Sequence, residues 1–327
     1  MTLSPIIVFA YNRPQHIIRT LEALAKNKLA DESVLHVYCD GAKDDATEEQ
    51  KAKVDATKKA VRTFRDENLK KFRDIVIREA DKNKGLANSI IDGVTEVINE
   101  YGRAIVLEDD LLTSPYFLKY MNEALDFYDE RKSVFSIAAN RPPEDKMRIP
   151  EDYEYDVFVS ERMFSTGWAT WKDRWNKVNW GLGYIDSLLK DENQMEAFNR
   201  GGDDMTEMLL LQRDGKIDSW AIRFAYAHFR EHAVAILPCR SYVDNIGFDG
   251  TGIHSGTENN GEHRNKTEEA PENPKFPDAL YEDKRIINAF YNVYCRKRKT
   301  FAQRIAGYVK RKLLKKKDIT IKRKIYV

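Results

Sequence analysis

The sequence is short of cysteine, long apolar runs and net charge, and each shortage narrows what the chain can be. Its three cysteines, Cys39, Cys239 and Cys295, are odd in number, far apart and in no CxxC pair. That pattern argues against a disulfide framework or a zinc site and suits a reducing, cytoplasmic compartment. No stretch reaches the roughly 20 apolar residues that a membrane-spanning helix needs. The opening MTLSPIIVFAYNRP lacks a basic leader region and a small-residue cleavage site, so it reads as a first strand. Lys and Arg number 54 against 53 Asp and Glu, and a net charge of +1 gives no reason to expect a nucleic-acid partner. No GxGxxG follows the first strand and no GxxxxGK[ST] occurs, which removes dinucleotide and P-loop readings. Also missing is a Gly-rich, Arg-containing loop of the kind that holds a triphosphate in sugar nucleotidyltransferases.

What is present is an alternation. Of 327 residues 42% are apolar, enough for a substantial core. The strand-like runs PIIVFAY (5–11), VLHVYCDG (34–41), DIVIREA (74–80) and RAIVLEDD (103–110) alternate with helical patterns. One of these, GLANSIIDGVTEVINEYG, carries Ile90, Ile91, Val94, Val97 and Ile98 at helical spacing. Strand alternating with helix implies a mostly parallel sheet, right-handed crossovers and a ligand site at the carboxyl ends of the strands. A helix is expected after Ser114 as cap and Pro115 in the first turn, followed by a strand over 133–140. Beyond a polar loop at 141–156, region 157–255 holds the aromatic cluster FSTGWATWKDRWNKVNW, two helical patterns within 203–231 and a strand-like AVAILP. Residues 256–280 are nearly free of apolar side chains and read as loop or linker.

The strands end in polar groups: Asn12 and Arg13, Asp40, Glu79 and Asp81, then Glu108, Asp109 and Asp110. One polar strand end is unremarkable because strand ends meet water; four in series suggest a common edge. Three adjacent carboxylates repel one another, and a divalent cation relieves that most directly. Mg²⁺ and Mn²⁺ favour carboxylate oxygens and combine one or two of them with substrate phosphates. Such a site suits a nucleoside diphosphate, whose departure the cation assists.

In that order VFAYNRP, CDG, NKGLANS and LEDD resemble the GT-A glycosyltransferases, notably inverting enzymes like N-acetylglucosaminyltransferase I and bacterial relatives in surface-polysaccharide synthesis. FSTGWATW, KIDSWAIRF and LPCRSYVDNIGFDGTGIHSG extend the similarity through about residue 255. The resemblance implies a GT-A fold over 1–255, with a nucleotide-sugar half (about 1–140) and an acceptor half (about 157–255). It implies a UDP-linked donor beside Asn12, Arg13 and Asp40, with Lys84, Gly85 and Asn88 bordering ribose and diphosphate. Asp110 would hold Mn²⁺ or Mg²⁺, Glu108 and Asp109 would support the nucleotide and sugar, and transfer would run to a glycan or lipid-linked acceptor. The family's catalytic acid is the second of an Asp-Asp pair before Trp. Here that pair is Asp218-Ser219, so Asp218 is the candidate base, with Asp203 and Asp204 as rivals.

Several positions carry two readings. Asp218 could simply cap a helix, and GGDD at 201–204 also suits a turn and helix start. His254, in a Gly-rich loop, could close on the diphosphate or be merely exposed. Trp168, Trp171 and Trp175 fall at helical spacing and suit a core, yet Trp168 after Gly167 is the one expected to face an acceptor sugar, with Trp220. Cys39 reads as a buried small hydrophobe. Finally, Arg296–Lys324 holds fourteen basic residues and one acid, about +13, leaving about −12 elsewhere. With Phe301, Ile305, Tyr308 and Leu313 near one side, the segment 281–327 reads as a basic amphipathic tail. Its target would be an anionic membrane, placing the protein peripherally at the inner face of the cell membrane.

Overall fold

The computed structural model describes residues 3–181, 183, 185–248 and 267–294. The first half alternates as expected: β1 (Ile6–Ala10), α1 (Pro14–Leu24), β2 (Val34–Cys39), α2 (Glu48–Asn68), β3 (Asp74–Glu79), α3 (Leu86–Tyr101) and β4 (Arg103–Glu108). A short β5 (Leu111–Thr113), α4 (Phe117–Phe127) and β6 (Val134–Ala138) follow. The second half comprises β7 (Val157–Ser160), β8 (Trp168–Trp171), α5 (Lys172–Trp175), α6 (Ile185–Leu188), α7 (Glu192–Phe198), α8 (Met205–Arg213), α9 (Trp220–Arg230), β9 (Val234–Pro238), β10 (Val243–Asn245) and α10 (Lys284–Tyr294).

Eight strands form one sheet in the order β3-β2-β1-β4-β8-β6-β9-β7, and β5 pairs with β10 in a separate ribbon. The first four strands are parallel, whereas β8 runs antiparallel between β4 and β6. The sheet is buried on both faces, and residue alternation sorts the two sides. Ile6, Val8, Leu35, Val37, Ile105 and Leu107 face α1, α2 and α4. Ile7, Phe9, Ala104 and Val106 face α3, α9 and the tryptophans. Helix α2 shows how a polar segment is held: Thr47 and Gln50 form a reciprocal capping box, and Val54, Val61 and Phe64 are buried beneath an otherwise charged surface.

Three expectations need correction. Trp168 and Trp171 lie on a strand, not a helix, because β8 is needed to pair both β4 and β6. Helix α4 starts at Phe117, with Tyr116 as its cap residue. Ser114 stays outside the helix because its amide donates to the Tyr242 carbonyl at 2.8 Å, beside the β5–β10 ribbon. The third concerns residues 267–294, which are part of the folded body. Lys275 exchanges backbone and side-chain hydrogen bonds with Asp156, Phe276 stacks on Phe127, and α10 buries Ile286 and Phe290 in the core. The described chain therefore extends the folded unit beyond residue 255, and α10 does not belong to a free tail.

Candidate functional site at the carboxyl edge of the sheet

Parallel β1, β2, β3 and β4 deliver their carboxyl ends to one edge. After β1, Arg13 occupies the cap position of α1 but makes no capping bond. Its guanidinium reaches instead to the end of β4, where it donates to Asp109 and lies 3.0 Å from Asp110 Oδ2. The Asp109 carbonyl accepts from Thr20 Oγ1 at 2.8 Å, fixing the turn against α1. On the other side the Asp110 carbonyl accepts from Ile246 N at 2.9 Å. Gly247 follows, so close that a Cβ there would sit 2.1 Å from Asp110 Oδ2. A side chain there would have to push the Asp110 carboxylate aside.

Electrostatics separate the three acids. Glu108 is enclosed by protein although a little of its surface remains in reach of solvent. Burial, then the Asp110 and Asp109 charges, push it up to about 8 against the opposing pull of Arg13. Burial also raises Asp109, to about 6, while Arg13 and the Tyr11 amide hold it down. One guanidinium thus partly neutralises an acid triplet that is short of positive charge. Among the described residues no group of three His, Cys, Asp or Glu side chains forms a ready-made metal cage. The Asp110 carboxylate, 13% exposed at the edge, still fits a cation that takes most of its ligands from a diphosphate and water.

A second corner is organised by Asp40, which is 9% exposed. Its Oδ1 accepts from Gly41 N and Lys84 N, and its Oδ2 from Asn83 Nδ2 and Gly85 N. With two donors on each oxygen, the carboxylate shapes the 83–85 loop. Gly85, at φ +77°, turns that loop into α3, a backbone angle that favours glycine. Lys84 points its ammonium to Asp92 on the surface (2.9 Å). Asn88 donates to the Lys84 carbonyl, and Asn12 is half-buried after β1.

Asp218 stands at this corner. Its Oδ2 is 3.9 Å from where a Cβ on Gly85 would lie. The cap of α9 is Ser219, whose Oγ accepts from Ile222 N, so Asp218 is not spent on capping. Its carboxylate is 59% exposed and receives Arg223 Nη2 at 3.3 Å. The rivals are committed elsewhere. Asp204 takes both Nη1 and Nη2 of Arg162 (2.7 and 2.9 Å), and Asp203 accepts from Tyr291 on α10 at 2.6 Å.

The acceptor residues inferred from sequence do not hold. Trp168 is 1% and Trp220 3% exposed, and their rings stack at 4.7 Å within the core, with Trp175 at 5.6 Å from Trp168. Neither has a face for a sugar. Gly167 is a backbone device at φ +68°, packed against Ala139 and Val243, and its carbonyl accepts from Ala139 N. Burial first, and then Glu79, push the Cys39 thiol up to about 12, which suits a packed hydrophobe. His254 and the basic segment 296–327 lie outside the described residues. Sequence reasoning missed Asn83, Arg223 and Gly247. All three lie within stretches already singled out, NKGLANS, KIDSWAIRF and NIGFDG, but only the tertiary contacts mark them.

The model of the GNT-I family matches residues 1–200. The chain belongs to the GNT-I family. The mostly parallel, helix-flanked sheet described above is of the GT-A kind. Among solved structures, TarS from S. aureus is 14% identical over 74% of this chain and 36% of its own, with a TM-score of 0.42. UDP-glucose pyrophosphorylase complexed with UDP-glucose is 12% identical over 72% of this chain and 90% of its own, TM-score 0.37. Mouse xyloside xylosyltransferase 1 is 10% identical over 70% and 82%, TM-score 0.33. This GNT-I family member spans about a third of the TarS chain, and no curated protein matches it.

Proposed function

We propose that this protein transfers a sugar from a nucleoside diphosphate sugar, UDP-linked, to a hydroxyl of a glycan or lipid-linked glycan, with inversion at the anomeric carbon. The observation that carries the reading is Asp218: a solvent-reached carboxylate beside Gly85, at the sheet edge that also ends in Asp109 and Asp110, and not used as a helix cap. In the step, Asp218 accepts the acceptor hydroxyl proton as the oxygen attacks the anomeric carbon. The C–O bond to the nucleoside diphosphate breaks on the opposite face, and the diphosphate leaves with the bonding pair. Arg223 holds the carboxylate in place, and Arg13 supplies positive charge near the leaving group's side of the edge. Asp110 would hold Mn²⁺ or Mg²⁺, which when bound offsets the charge growing on the departing diphosphate.

A screen of UDP-, GDP- and dTDP-sugars for nucleotide release, with and without Mn²⁺, tests donor and cation together. The anomeric configuration of the product, read by NMR, tests inversion; retention rejects Asp218 as a base. A role in surface-polysaccharide synthesis would place the acceptor at a membrane. No helix among the described residues is long and apolar enough to cross one, and the reading assigns membrane contact to the +13 tail. Flotation with anionic against neutral liposomes tests that assignment, and equal recovery rejects it.

A further inference from the structure

Of the five tryptophans, four are buried and Trp180 alone reaches the surface. It forms one wall of an open cleft of about 610 Å³ with Trp175, Asn176 and Val178, and Ile91, Asp92, Thr95 and Glu96 of α3 form the other, where Thr95 Oγ1 accepts from Trp175 Nε1 at 2.9 Å. The cleft is joined to the sheet edge along both walls. On one side Arg223 donates to the Trp180 carbonyl (3.3 Å), to the Ser219 carbonyl (3.2 Å) and to Asp218 (3.3 Å). On the other, Lys84 leaves the loop beside Gly85 and meets Asp92 at 2.9 Å.

We infer that this cleft is an outer subsite for the acceptor, binding a neutral sugar unit one or two residues removed from the hydroxyl that reacts. The inference rests on the reading of Asp218 as the base. An indole offers an apolar surface for the C–H face of a pyranose and a polar edge for its rim. Thr95, Asn176 and the two carboxylates supply hydrogen-bonding groups of the few-and-placed kind that orient a ligand. The distance sets the unit's place in the chain. Asp92 is seven residues along α3 from Gly85, about 10 Å at about 1.5 Å per residue. That is too far for the reacting sugar at Asp218 and within reach of its neighbours. Charge sets the class. The lining carries Asp92 and Glu96 and no basic side chain, with their partners Lys84 and Arg78 outside it. Both acids are already paired at 2.9 and 2.6 Å, so an acidic glycan would find no cation in the lining to offset its charge.

The test follows the indole N–H resonance of Trp180 in the full-length, ¹⁵N-labelled protein. Chitotetraose and cellotetraose serve as neutral probes and tetragalacturonate as the acidic one. A neutral tetrasaccharide should shift the Trp180 resonance, tetragalacturonate should not, and the indoles of Trp168, Trp171 and Trp220, which do not line the cleft, should stay still. Asn176→Arg, which fills the cleft by pairing with Asp92 or Glu96, should abolish the shift. Trp180→Ala should weaken binding of that neutral probe, followed through the sugar's own signals, at least about tenfold, or ~1.4 kcal/mol. Silence of Trp180 with both neutral probes, or an equal shift with the acidic one, overturns the subsite. Hydrolytic nucleotide release without acceptor separates this from the parent reading, and Trp180→Ala should leave that release unchanged. Release with a silent Trp180 removes only the subsite. A Trp180 shift with no release from any nucleotide sugar leaves a glycan-binding cleft and removes the transferase.

Discussion

The Asp-Asp pairs at 109–110 and 203–204 are the same dipeptide put to opposite uses. Asp109 and Asp110 end a central parallel strand, where the sheet buries one and leaves the other at an edge, and both share Arg13. Asp203 and Asp204 precede α8, where each has its own partner, and those partners fasten the second half: Arg162 lies over the Tyr294 ring at 4.3 Å, and Tyr291 belongs to α10. A pair with two dedicated donors is a clasp. A pair sharing one guanidinium, next to a third acid pushed up to about 8, is short of positive charge and suited to receive more.

The widest gap between the two regions should come from Asp218, which the proposed function groups with the first pair although it lies in the second half. Asp218→Ala should lower turnover about 10²–10⁴-fold, the range for a general base, with donor affinity nearly intact. If Asp203→Ala or Asp204→Ala gives that pattern instead, the comparison is reversed. Next in size, Asp110→Asn should cost about 10²–10³-fold in cation-supported turnover, several kcal/mol of charge stabilisation being at stake. It should also weaken Mn²⁺ binding measured by EPR with donor present. Full activity in chelator breaks the metal assignment.

A third prediction concerns pH in the metal-free protein. Glu108 has its pKa raised in the fold, so the folded state keeps a proton that the unfolded chain releases near its ordinary value. Stability is then lost as pH rises toward about 8. The buried His228, depressed to about 4 by burial against the hydrogen bond of the Phe224 carbonyl, acts the other way and only below its ordinary value of 6.5. Between pH 6.5 and 8 the Glu108 effect stands alone of the two, at most about 2 kcal/mol at about 1.4 kcal/mol per unit. Denaturant unfolding in chelator should show wild type losing stability across that window and Glu108→Gln staying flatter. A flat wild-type profile contradicts it.

The smallest effect belongs to the clasp. Arg162→Ala should cost about 1–2 kcal/mol of stability, since the bidentate pair with Asp204 is only partly shielded from water. Turnover per folded molecule should be unchanged. Loss of activity without loss of stability would move Asp204 back among the candidate bases.

Local sequence was enough for the first half of the fold. Buried β-strands such as IIVFA and the amphipathic α3 declare themselves through period and composition, and parallel order then brings 12–13, 40 and 108–110 to one edge. The same local signals misplaced the tryptophans. Spacing of three and four residues fits a helix face as well as it fits a strand followed by a short helix, and pairing of β8 with both β4 and β6 decided between them. Partner identity was likewise invisible. That Arg13 faces two aspartates, that three donors from 83–85 occupy Asp40, and that Gly247 packs against Asp110 depend on residues 43 to 137 positions apart. Residue type and order along the chain determined which chemistry was at hand and on which edge of the sheet. Which carboxylates were left free to use it was decided by long-range contacts, because a carboxylate's availability depends on the donors folded around it.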